Sequence, residues 1–142
     1  MMGIIFSIVA GAAMSIQGVW NTRLQEKVGM WETTAFVQGT GFALALVVAW
    51  LFGSGNIKAI GEVNKLYLLG GALGIVITFT VMQGMSALGP TVAVSCILSA
   101  QLIVAAIIDA FGLFGSEQVN FGLWKFAGVG LMIGGVLLFK LK

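Results

Sequence analysis

A chain of 142 residues has the length of one domain, yet 59% of it is hydrophobic and only 8% is charged, too little polar surface to cover a water-soluble fold. The net charge of +2 comes from Lys and Arg placed singly in connections and tail, which speaks against nucleic-acid binding; that would need a basic stripe. With no histidine and one cysteine, Cys96, a disulfide within the chain is impossible, a Cys/His metal site is not expected, and no cofactor or catalytic domain is read.

The first apolar run, residues 2–21, is long enough to cross roughly 30 Å of hydrocarbon as a helix. No basic n-region precedes it, so it is expected to stay in the membrane rather than leave as a signal peptide. It carries Ser7, Met14, Gln17 and Asn21 on one stripe and Gly11, Ser15 and Gly18 on another. The small stripe reads as a packing seam. The amides either line a cavity or bond a neighbouring helix. Arg23, Gln25, Glu26, Lys27 and Gly29 then form a polar connection, with Trp31 as an interfacial aromatic.

The second span, residues 33–52, aligns Thr34, Gln38 and Gly41 and stops at Gly53-Ser54-Gly55-Asn56. The longest polar stretch follows, with Lys58, Glu62, Asn64 and Lys65, before Tyr67 and a third span over residues 66–86. That span begins with a Gly-x-x-x-Gly at Gly70 and Gly74 and carries Thr78, Thr80 and Gln83; its threonines are expected to bond back to the preceding turn.

Residues 66–114 are too long for one helix, and Leu88-Gly89-Pro90 supplies the break, since Gly ends helices and Pro fits their first turn. The fourth span, residues 91–111, places Ser95, Ser99, Leu102, Ala106 and Asp109 on one face, with Gln101 beside them and Cys96 as a small packing residue. Asp109 is the one acid inside an apolar run. It is either a buried counter-ion or proton carrier, or a solvated acid near the membrane face. A polar turn over residues 115–120 leads to the fifth span, residues 123–139, where Gly128, Gly130, Gly134 and Gly135 allow close contact within one protomer or between two. The expected fold is an all-α membrane protein, residues 1–142 forming one transmembrane domain of five helices.

Five spans put Lys58, Lys65 and Lys125 on one side and Arg23, Lys27, Lys140 and Lys142 on the other. Retained Lys and Arg set orientation, and totals of three and four set none. Insertion in both orientations is the preferred reading; orientation by some other weak signal is the alternative.

The run from Ser99 through Gly115, with Gln101-Leu102, Asp109, Phe111-Gly112 and Gly115, resembles the YdcZ-like family of the drug/metabolite transporter superfamily. Gln17, Asn21 and Leu24, Gly70-Gly71 with Leu73-Gly74, Leu88-Gly89 and the glycines from Gly128 to Gly135 extend the resemblance over the whole chain. Ala100 and Ala105 depart from the Gly and Ser of its pattern. The fifth span also looks like the dimerising last helix of the small multidrug resistance family. The membrane-embedded Glu of that family has no counterpart in the first span, where Gln17 and Asn21 stand, so its proton-coupled drug antiport does not carry over.

The resemblance implies five helices per unit, an antiparallel homodimer, transport and a bacterial inner-membrane location. Two odd-numbered bundles of opposite orientation form an inverted repeat able to alternate access around a midplane site. The expected path is lined by Gln17, Asn21, Gln38, Gln83, Ser99, Gln101 and Asp109, and the expected dimer contact by Gly128, Gly130, Gly134 and Gly135. Neutral groups dominate the path, favouring a neutral or zwitterionic small molecule or a weakly held cation. A dual-topology ion channel and a non-transporting membrane subunit are the alternatives.

Overall fold

The computed structural model describes residues 1–119 and 122–140. Among them five α-helices follow one another: α1 (Met2–Val28), α2 (Met30–Phe52), α3 (Gly70–Leu88), α4 (Pro90–Phe111) and α5 (Leu123–Lys140). Short 3-10 segments lie at Ile57–Glu62, Lys65–Leu69 and Leu113–Gly115. Helices α1, α2 and α4 are long and apolar enough to cross a membrane, as is α3 with its lead-in from Lys65, while the apolar part of α5 is the shorter Ala127–Leu138. No more than 6% of any of the four spanning windows is buried, so their apolar faces look outward, as lipid-solvated helices do. Asn120 of the expected turn and Lys142 of the charge balance lie outside the described residues.

The chain divides into two compact units, Met1–Ser86 and Ala87–Lys142. In the first, α1 packs on α2. The polar run after Asn21, expected as a connection, instead continues α1 to Val28. Arg, Leu, Gln, Glu and Lys are good helix formers, and polarity ends a membrane crossing without ending a helix. The exposed Arg23–Glu26 pair, 3.2 Å apart, spans one turn of this extension. At 27 residues, α1 is about 40 Å long, more than the hydrocarbon core requires, so it tilts or projects beyond it.

The whole connection between α1 and α2 is one residue. Gly29, at φ 98° and ψ 160°, accepts the Thr33 amide through its carbonyl (3.1 Å) and donates its own N–H to Gln25 (3.0 Å). That backbone region is almost closed to residues with a Cβ. The same device recurs at Gly89, φ 78° and ψ 160°, whose carbonyl accepts from Ala93 at 3.1 Å ahead of a helix begun by Pro90.

The buried part of the first unit gathers where α1 ends and α2 begins. Gly18, Asn21 and Thr22 of α1, Thr33 and Thr34 of α2, and Met82 and Met85 of α3 are buried there. A Cβ on Gly18 would sit 2.5 Å from Met85 Cε and 3.1 Å from Val81 Cγ1, so the missing side chain is what lets α3 approach α1. Trp31 stacks on Phe79 with ring centroids 5.1 Å apart, joining α2 to α3. Thr34, Thr78 and Thr80 donate to the carbonyls four residues back, as expected of hydroxyls in apolar helices.

In the second unit α4 packs on α5. The C-terminal carbonyls of α4 are met by the chain that follows: Gly112 (φ 60°) donates to Ile108, Gln118 Nε2 to Ala110 at 2.9 Å, and the Val119 amide to Asp109 at 2.9 Å. Cys96, expected as a packing residue, is exposed within the single chain.

Candidate functional site

Extending α1 through Lys27 changes its polar face. Gln17, Asn21 and Gln25 fall at successive four-residue steps and so share one stripe. Gln17 is exposed, Asn21 is 8% exposed, and the Gln25 side-chain oxygen is buried without a hydrogen-bond partner. The nearby hydroxyls of Thr22, Thr33 and Thr34 are committed to the carbonyls of Gly18, Gly29 and Met30 at 2.7 to 2.9 Å. A buried acceptor left unpaired costs roughly 1–3 kcal/mol, so this oxygen calls for a donor from beyond the described side chains, an ordered water or a solute. The path expected from the sequence leaves out Gln25, because the polar run after Asn21 reads as a connection. Its four-residue step from Asn21, and the unbroken helix formers up to Lys27, were the signals that could have found it.

Gln38 and Gln83 are used differently. Gln38, half-buried, donates through Nε2 to Thr78 Oγ1 at 3.4 Å and lies over Gly74, where an added Cβ would meet that nitrogen at 3.0 Å. Gln83, exposed, points its Nε2 at the Met30 sulfur, 3.7 Å away. Both tie α2 to α3. The first unit therefore gathers Asn21 and Gln25 at a buried corner and places Gln38 and Gln83 across a neighbouring helix contact.

In the second unit Asp109 stands half-buried in the last turn of α4, at a groove of about 470 Å³. Leu102, Ala105 and Ala106 line it from α4, and Gly128, Val129 and Met132 from α5. The carboxylate is the one charged group among these residues. With alanine at 105 and 106, that wall carries no hydroxyl. Gln101 is not brought to Asp109; it opens on a separate shallow hollow with Ala100, Val104 and Ile108. Ser99 donates to the Ser95 carbonyl at 3.1 Å.

Of the glycines on α5, Gly128 and Gly130 are exposed and Gly134 and Gly135 half-buried. A Cβ added at any of the four meets nothing within 4 Å. Gly128 opens on the groove shared with α4, and Gly130 and Gly134 lie on another side of the helix.

Compared with known families, residues 2–138 match the family described as "Putative inner membrane exporter, YdcZ". No curated protein and no solved structure matches the chain. The match reaches from the start of α1 into the end of α5 and agrees with the resemblance carried by α4. The family's description is of an exporter of the inner membrane, a transporter rather than an enzyme. The chain therefore belongs to the YdcZ family and is a multi-pass protein of the inner membrane.

Proposed function

We propose that the protein is a small exporter that inserts in both orientations, pairs as an antiparallel homodimer and moves its solute by alternating access. The observation carrying this reading is the buried Asn21 and Gln25 corner, an unpaired acceptor kept at desolvation cost in a member of an exporter family. Near-equal Lys and Arg totals support the two orientations, and the open glycine face of α5 suits it to the dimer contact through Gly128, Gly130, Gly134 and Gly135.

The path in this reading contains Gln17, Asn21, Gln38, Gln83, Ser99, Gln101 and Asp109, with Gln25 added. Six of these eight side chains are amides, which donate and accept without charge. The solute class that suits them is neutral or zwitterionic and carries an N–H or O–H for Gln25; a cation would use Asp109 as its counter-charge. A thermal-stability screen of the purified protein against neutral, zwitterionic and cationic metabolites tests this. A ligand at about 100 times its Kd adds about 2.7 kcal/mol to the native state. Stabilisation by a neutral or zwitterionic solute that disappears in Gln25→Leu supports the reading, and stabilisation by inorganic ions alone would replace it with a channel.

A further inference from the structure

The stretch joining α2 to α3 is a tandem of two 3-10 segments, Ile57–Glu62 and Lys65–Leu69. Each opens on an asparagine that accepts a backbone N–H two residues on: Lys58 to Asn56 Oδ1 at 3.1 Å, and Leu66 to Asn64 Oδ1 at 3.0 Å. Backbone bonds from Ala59 to Asn56 (3.1 Å) and from Tyr67 to Asn64 (2.9 Å) close the first turns. A 3-10 helix has three residues per turn, so side chains three apart eclipse. The sequence matches that period, with Ile57 and Ile60 in the first segment, Val63 between, and Leu66 and Leu69 in the second, while Lys58, Glu62 and Lys65 fall at other registers.

All five of these residues are exposed, Ile57 at 82% and Leu66 at 59%, and in the second segment Tyr67 and Leu68, at the other registers, are exposed too. Each segment eclipses its own pair, Ile57 with Ile60 and Leu66 with Leu69, the 3-10 register being interrupted between them at Val63 (φ −88°, ψ 158°) and Asn64 (φ −59°, ψ 126°); facing water, these side chains would be costly. Both ends of the stretch run into membrane-spanning helices, and the end of α2 presents Trp50 and Phe52, 84% and 80% exposed, where aromatics mark the membrane boundary. The segment is thereby held at the bilayer face. Its charges, two lysines against one glutamate, complement lipid phosphates rather than a basic partner.

We propose that residues 57–69 form a strap lying on the bilayer face, the exposed apolar side chains of both segments in the acyl boundary and Lys58 and Lys65 reaching up to headgroup phosphates. The strap fixes the depth of the α2 and α3 ends. This rests on the chain's membrane location and not on its transport reading.

The test uses full-length protein in phospholipid vesicles, with Cys96→Ser as background and single cysteines carrying a nitroxide. Ile57→Cys and Ile60→Cys should be several-fold more accessible to oxygen than to a water-soluble nickel chelate, and Lys58→Cys and Glu62→Cys the reverse. All four positions are exposed, so the label replaces no packing contact. Chelate access at all four would overturn the proposal by placing the strap in water. Low access to both reagents at positions 57 and 60 would overturn it too, by showing a protein surface over these side chains. A label at Ile60→Cys should move measurably shallower when Lys58 and Lys65 are both changed to Glu; no movement would remove the lysines from the anchoring.

Discussion

Two glycines carry the tight connections of this chain, and their backbone angles make the cost of replacing them calculable. Gly29→Ala and Gly89→Ala should each lower stability by about 1–3 kcal/mol, the cost of holding an alanine in a region open essentially to glycine. Gly11→Ala, in the interior of α1 with nothing within 4 Å, should stabilise by up to about 1 kcal/mol. Unfolding of the three variants in detergent checks both signs. Gln25 gives an opposite kind of test. Removing an unpaired buried acceptor leaves no orphaned partner, so Gln25→Leu should keep or raise stability while abolishing solute transport. A loss of stability would reveal a partner for that oxygen. At Asp109 the carboxylate has six apolar residues around its groove, and Asp109→Asn keeps shape while removing charge. If the solute is a cation, transport should fall in that variant with the dimer intact; for a neutral solute it should survive.

At the scale of elements, α1 and α5 show what apolar patterning conveys and what it leaves open. Helix α5 carries glycines at which an added Cβ meets nothing within 4 Å among the described residues. Gly130→Leu and Gly134→Leu should leave the monomer fold unchanged and weaken the proposed dimer by about 1–2 kcal/mol, the scale of helix association in lipid. Crosslinking or dilution in detergent measures it, and an unaltered dimer in both variants would move the contact off α5. Helix α1 contrasts, because Gly18 already lies against Met85 and Val81. Of its small stripe, Gly18 serves a contact within the chain, while Gly11 meets nothing within 4 Å. The two stripes are alike in sequence, and only the neighbours of each tell them apart.

For the whole molecule the decisive quantity is the charge balance of the connections. With totals of three and four, two or three additional lysines in one connection should force a single orientation. In the antiparallel reading, cells making only that variant should lose transport, and coexpression with a variant forced the opposite way should restore it. Tags that report one fixed orientation in the unmodified chain would remove this architecture.

Composition and run length alone determined that the protein lives in lipid, that it is built of helices and where Gly89-Pro90 separates two of them, because hydrocarbon leaves the backbone few alternatives and glycine with proline leaves fewer. The start of α4 was legible to within a residue for that reason. The end of α1 was not: the residues after Asn21 are polar yet helix-forming, and whether such a run turns or continues depends on its packing against α2. That same ambiguity hid Gln25, while Asn21, one turn earlier, was recognisable by its polarity inside an apolar run. Which amides are spent on helix contacts, as Gln38 is on Thr78, and which stay unpaired, as Gln25 does, was decided only by tertiary structure. Hydrogen bonds between helices depend on which side chains the packing brings within about 3 Å, a distance no spacing along a single helix can encode.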